Sequence, residues 1–188
     1  MNTYIVSDMH FGHASIIKYC NRPFKTVDNM NNSLIRNWNS RIKHNDVVYH
    51  VGDFCFRHKS YGSKNSMLYW EDQLNGKIIH IKGNHDNQNN VKAPIISAIM
   101  EFANYKILVQ HRPIQDKKEF PKDCDFVICG HVHEKWRYKT IKGIIHINVS
   151  CEVQKYMPVP LNDIVNLYIR IKREKKGFIS ILYNIKGK

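Results

Sequence analysis

The sequence predicts a single α/β domain with a mixed β core, flanking helices and a β-hairpin at its C-terminal end. Three observations predict it. Short β-branched runs stop at Gly, Asp, Asn or His; stretches with apolar residues at helical spacing separate them; and the tail alternates apolar and polar residues around a turn-like segment. The chain has 188 residues, 43% of them apolar and 24% charged. That is an ordinary globular balance, and the length allows a buried core without disulfide staples. No linker, repeat or low-complexity tract interrupts 1–188, which therefore reads as one domain.

Thr3 to Ser7 reads as the first buried strand. Behind Thr26, a good N-cap residue, Met30, Leu34, Trp38 and Ile42 recur every fourth position and mark one face of a helix. Val47 to Val51 is the second strand, and Ser66 to Leu74 a second helix stopped by Gly76. A glycine just past the last apolar position permits the left-handed conformation on which helices end. Ile78 to Ile81, Ile107 to Gln110, Phe126 to Cys129 and Ile144 to Val149 complete the core strands, followed by a stiff loop at Met157-Pro158-Val159-Pro160. From Ile164 to Tyr183, VNLYIRI and FISILY flank REKKG, the pattern of an antiparallel hairpin.

Composition narrows the setting. Lys and Arg number 29 against 16 Asp and Glu, a formal charge of +13. Such a field attracts polyanions: nucleic acid, nucleotides or acidic membrane surfaces. No apolar run approaches the roughly 18 residues of a membrane span. The opening MNTYIVSDMH lacks the basic-then-apolar order of a signal peptide. Five cysteines (Cys20, Cys55, Cys124, Cys129, Cys151) form no C-x-x-C pair, which fits reduced thiols and a cytoplasmic protein.

The informative pattern lies at the strand ends. Asp8 and His10 follow the first strand, Gly52 and Asp53 the second, and Gly83, Asn84, His85 and Asp86 the third. His111 follows the fourth, and Gly130, His131 and His133 the fifth. Parallel strands put such tips on one rim, where open α/β sheets place their ligands. Asp8/His10 and His131/His133 are each separated by one residue, so in an extended segment both members face one side. Gly52, Gly83 and Gly130 each precede a candidate ligand, where a missing side chain permits close backbone approach.

Imidazole, carboxylate and amide oxygen, without thiolate, suit manganese, iron, zinc or nickel better than the all-oxygen shells of magnesium and calcium. Seven such residues exceed what one tetrahedral ion needs, so two divalent ions are expected, with Mn²⁺ favoured. A pair roughly 3.5–4 Å apart would lower the pKa of a shared water toward about 7 and clamp a phosphoryl oxygen for in-line displacement.

The ordered series D-x-H, GD, GNHD, H and GHVH, here Asp8-Met9-His10, Gly52-Asp53, Gly83-Asn84-His85-Asp86, His111 and Gly130-His131-Val132-His133, resembles the calcineurin-like metallophosphoesterases. The similarity to small, single-domain bacterial and phage-type members extends through SDMHFGHASIIKYCNRPF and NVSCEV. The resemblance implies a four-layer α/β/β/α sandwich: two central mixed sheets flanked by helices. It implies one ion on Asp8, His10, Asp53 and His133, and a second on Asp53, Asn84, His111 and His131, with Asp53 bridging. His85 would touch the phosphoryl oxygen or protonate the leaving group, and Asp86 would orient His85 or cap a following helix.

His13, Arg22, Arg57 and Arg112 are candidate substrate contacts beside the motifs, with Asn21, Phe56, Lys155 and Tyr156 as neighbours. His13 could equally cap the helix that follows. His44, His50, His58, His80 and His146 read as surface or core histidines. Only 24 residues separate Asp86 from His111 and 19 separate His111 from His131, which leaves no room for a capping domain. An open basic site admits extended diesters, so the expectation is a phosphodiesterase acting on a nucleotide or nucleic acid. The alternatives are a phosphomonoesterase, a pyrophosphohydrolase, and a non-catalytic metal-stabilised module that binds nucleic acid or protein.

Overall fold

A computed structural model describes residues 1–57, 59 and 66–186, with 175–186 described by their backbone; His58 lies outside the described residues. Among the described residues, nine strands form two sheets. The first, in order β3-β2-β1-β9, comprises β1 (Thr3–Val6), β2 (Val47–Val51), β3 (Lys77–Ile81) and β9 (Val159–Pro160). β1, β2 and β3 run parallel, and β9 pairs antiparallel with β1. The second sheet, β4-β5-β6-β8-β7, comprises β4 (Ser97–Phe102), β5 (Tyr105–Gln110), β6 (Phe126–Cys129), β7 (Tyr138–Ile141) and β8 (Ile144–Asn148). Its central β5, β6 and β8 are parallel, and both edges are antiparallel.

Alternation along each strand assigns residues to layers. Tyr4, Val6 and Val48 face a core shared with α1 (Ala14–Tyr19), α2 (Val27–Arg41) and α3 (Ser66–Glu71), where Met30, Leu34, Trp38 and Trp70 are buried. Ile5, Val51 and Ile81 face the other way, against Ile107, Val109, Phe126, Ile128, Ile145 and Ile147 of the second sheet. Each fully buried aliphatic side chain here contributes about 1.5–3 kcal/mol. The Thr26 hydroxyl accepts from the Asn29 amide and caps α2 as expected. Trp38 Nε1 donates to the Asn75 carbonyl at 2.9 Å, which satisfies the one polar atom of that buried ring.

This is the two-sheet sandwich that the resemblance implies, with differences in detail. The outer face of the second sheet, Leu108, Val127, Cys129 and Ile144, is covered by Ile114, Phe120, Cys124 and Trp136 from loops that carry short 3-10 turns, Lys117–Glu119 and His133–Lys135. Val159 and Pro160, expected in a loop, form an edge strand, a position where proline's missing N–H interrupts no ladder.

The expected C-terminal hairpin is replaced by a helix, α4 (Leu161–Lys186). Val165, Leu167, Ile169 and Ile171 do alternate, but Leu161, Ile164, Val165, Tyr168 and Ile171 also lie at helical spacing, and these five are buried in the inter-sheet core. Tyr168 stacks on Phe126 with ring centroids 4.3 Å apart. Packing on a preformed sheet rewards the helical stripe, and β-branched composition alone could not reveal that.

His50, His80 and His146 are core residues, as expected. His50 is fully buried with neither ring nitrogen hydrogen-bonded among the described residues. Burial and the adjacent His80 hold its pKa well below the ordinary imidazole value. The unfolded chain therefore binds a proton at His50 below about pH 6.5 that the folded chain does not, so this residue takes stability away as pH falls through that range. Urea unfolding of metal-free wild type and of a His50 variant at pH 7.5 and 5.5 isolates this loss. His50→Leu, which removes two unpaired polar atoms at similar volume, should reduce the loss while costing little at pH 7.5.

Candidate metal centre

The ends of β1, β2, β3, β5 and β6 meet on one rim, where a bridge between Ser7 and Ser150 joins the two sheets. Asp8 sits at this seam, fully buried. Its Oδ2 accepts from the hydroxyls of Ser7 and Ser150, the latter at 2.8 Å, and from the His131 amide at 3.0 Å. Asp53 Oδ1 accepts from the His85 amide at 2.9 Å. Asp53 Oδ2 lies 3.7 Å from His10 Nε2 and 3.3 Å from His111 Nε2, so it faces both halves of the site.

His133 Nε2 stands 3.7 Å from Asp8 Oδ1, and its ring stacks against His10 at 5.4 Å. Asn84 Oδ1 is 3.0 Å from His111 Nε2, and His131 meets the His111 ring edge-on at 5.2 Å. All seven residues expected as ligands therefore gather at one place. Their convergence does not come from an extended backbone. Asp8, His10, Asp53, His131 and His133 all have positive φ, between 48° and 70°. Non-glycine residues in the left-handed region cost roughly 1–3 kcal/mol each and persist where surrounding structure holds them. The sharp turns aim both members of each D-x-H or H-x-H pair inward.

The glycines serve close approach. A Cβ at Gly83 would collide with Asp53, one at Gly130 with Ser7 and Asp8, and one at Gly52 with the His111 ring. Asp86 has a different task from orienting His85: its Oδ1 accepts from the Phe54 amide, and its Oδ2 from the amides of Asp53 and Gly83. With these three bonds it braces the β2 and β3 loops against each other, and the residues after it form turns in place of a helix. Burial raises its pKa.

Electrostatics favour cations. Burial opposes charge on His111, but its hydrogen bond to Asp53 and the charges of Asp8 and Asp53 outweigh that and raise its pKa to about 9. For His133, burial is outweighed by hydrogen bonds to Cys20 and Glu152 and by Asp8, to about 11. Burial keeps His10 and His131 well disposed to be neutral, the form in which imidazole binds metal. The donor set fits divalent ions. Two groups, Asp8–His10–His133 and Asp8–Asp53–His111, each bring carboxylate and imidazole atoms within 4.8 Å of one another. The buried His10 Nε2 has no hydrogen-bond partner among the described residues.

A calcineurin-like phosphoesterase superfamily domain matches residues 1–155. The chain belongs to that superfamily. With the Asp/His groups above, membership makes it a metal-dependent phosphoesterase. This phosphoesterase is 38% identical over 168 residues to the uncharacterized protein MJ1445 of Methanocaldococcus jannaschii, an alignment covering 87% of this chain and 89% of that one. It also superposes on the crystal structure of AQ665, a protein of unknown function from Aquifex aeolicus, with a TM-score of 0.67 and 27% identity, over 88% of this chain and 98% of that one.

The surroundings revise the phosphoesterase's candidate substrate contacts. Arg22 is buried. Its guanidinium donates to the Asp8 carbonyl at 2.7 Å, the Met9 carbonyl at 2.9 Å and Glu152 at 2.7 Å, so it locks the ligand loop and is not open to substrate. Arg57 and Arg112 are exposed, and Arg112 lines a cleft with Asn84 and His111. His13 occupies the cap position of α1, yet its side chain makes no capping bond.

Glu152 was not foreseen. Its Oε1 lies 2.9 Å from His133 Nδ1 and also accepts from Arg22, a chain that fixes the orientation of the His133 ring. Cys20, His133 and Glu152 also form a ligand-like group, but the Arg22 guanidinium already supplies the positive charge there. The NVSCEV segment carried the signal, since carboxylates behind a metal-binding histidine commonly set its tautomer. Glu152→Gln should therefore lower Mn²⁺ affinity roughly tenfold in calorimetric titration, with little change in fold by circular dichroism. Gly130→Ala should displace Asp8 and abolish tight Mn²⁺ binding in the same assay.

Proposed function

We propose that this metal-dependent phosphoesterase is a phosphodiesterase of nucleotides or nucleic acids, working with two divalent ions, Mn²⁺ foremost. The observation that carries the reading is an open cleft of about 350 Å³ beside Asn84 and His111, lined by Lys82, Gly83, Ile96, Gln110 and Arg112. Lys82 and Arg112 place two cations next to the ligands of one ion, where a chain continuing beyond the scissile phosphate would run. Arginine's planar fork suits a phosphate in particular. The overall charge of +13 draws such a polyanion in. Five free, buried cysteines support a reducing, cytoplasmic setting.

Asp8, His10, Asp53 and His133 would hold one ion, and Asp53, Asn84, His111 and His131 the other. Divalent ions held there would supply Lewis acidity to the phosphoryl oxygens and would activate water as the nucleophile. Asp53 faces both ligand groups through one oxygen and would be shared between them. The seam hydroxyls of Ser7 and Ser150 hold Asp8 in place. His85 is exposed, with its ring 5.8 Å from that of His10, and its backbone is tied to Asp53. It is free to meet a phosphoryl oxygen or to hand a proton to the departing oxygen.

Metal-stripped protein refilled with Mn²⁺ should hydrolyse bis-(p-nitrophenyl) phosphate faster than p-nitrophenyl phosphate. The reverse ratio would favour a phosphomonoesterase, and metal uptake without turnover a binding module. Asp53→Asn should lose both ions by metal analysis. His85→Ala should keep both and lose rate, most for poor leaving groups.

A further inference from the structure

Beside His10, among residues that do not line the cationic cleft, stands a group of aromatic side chains that the chemistry does not use. His13 and Phe56 stack face to face, with ring centroids 4.6 Å apart and planes 9° apart. Tyr19 meets His13 edge-on at 6.3 Å and is 74% exposed. The His13 ring is 5.4 Å from that of His10, so the group begins directly beside one proposed ion. The cleft shares Asn84 and His111 with the other. Aromatic side chains left open at a phosphate-binding centre are unexpected in a site built for phosphate alone.

The backbone holds these rings in place. The Phe56 amide donates to the Phe11 carbonyl at 2.7 Å, and a bridge joins Phe11 to Cys55. The His13 amide donates to the His10 carbonyl at 3.1 Å. His13 and Phe56 thus come from two loops clamped to each other and to the ligands. His13 covers one face of Phe56, which as a residue remains 38% exposed. That is the geometry of a preorganised stacking surface, which accepts any base because every base has a π-face.

We propose that Phe56, backed by His13 and flanked by Tyr19, is a nucleobase platform that stacks the base of the nucleoside joined to the scissile phosphate, making the substrate a nucleoside phosphoester. The proposal rests on the phosphodiesterase reading for the ester type but not for the base. The strand would then cross the centre with a base on the aromatic side and the next phosphate against Lys82 and Arg112.

The test compares kcat/KM for thymidylyl-thymidine with that for glycerophosphoethanolamine, a diester without a base, using Mn²⁺-loaded protein. Phe56→Leu keeps an apolar side chain and removes the π-face; Phe56→Trp restores one. The thymidylyl-thymidine to glycerophosphoethanolamine ratio should fall roughly tenfold in Phe56→Leu, mostly through KM, and recover in Phe56→Trp. The emission of 2-aminopurine deoxyriboside 5′-monophosphate should be quenched on binding to wild type and Phe56→Trp, and far less by Phe56→Leu. An unchanged ratio with unchanged quenching, or equal losses on both diesters, would overturn the platform and leave Phe56 as packing for His13. Should wild type cleave neither diester, the phosphodiesterase reading fails by itself. The same variants are then scored on thymidine 5′-monophosphate against glycerol phosphate, where a constant ratio overturns the platform as well.

Discussion

Two buried carboxylates organise this molecule. Asp8 and Asp53 lie within a few ångströms of one another's histidine partners at the meeting edge of two sheets, where unpaired negative charge would be costly. Hydroxyls from Ser7 and Ser150, amides from His85 and His131, and the imidazoles of His10, His111 and His133 are all spent on that charge. Around them the chain accepts strained φ values and glycines at points of collision. Two buried carboxylates held among imidazole donors are preorganised for divalent cations, and the hydrolytic chemistry follows from that.

The centre was legible because its residues are tied to secondary structure in the simplest way: each follows a short apolar run that could only be a buried strand. Val47 to Val51 and Phe126 to Cys129 fall where expected, and so do the ligands after them. What surrounds the ligands was less legible. Arg22 looked like a phosphate contact because sequence carries no burial, and only the fold shows its guanidinium enclosed by two carbonyls and Glu152. Asp86 sits next to His85 in sequence, yet its oxygens turn to the amides of Asp53 and Phe54 in the β2 turn and of Gly83 in its own.

The tail illustrates a different limit. Its residues satisfy both a period of 2 and a period near 3.6, so the pattern alone cannot choose. The choice belongs to the partner surface, the apolar strip of β1, β6 and β8 on which Leu161, Ile164, Val165 and Tyr168 pack. The edge strands β4 and β7 escaped notice for a related reason. Ser97–Phe102 and Tyr138–Ile141 are largely exposed and carry charged or small residues, as edges that must not invite a further strand usually do.

The ligands are drawn from both sheets: Asp8, His10, Asp53 and Asn84 from the turns of the first, His111, His131 and His133 from those of the second. Bound ions would therefore act as further cross-links between the two layers, riveting them at one end of their shared apolar interface. Sliding one sheet over the other by an ångström would pull the two half-shells out of register. Side chains deep in that interface, such as Ile5, Val109 and Ile147, thus help set the bite of a metal centre they never touch.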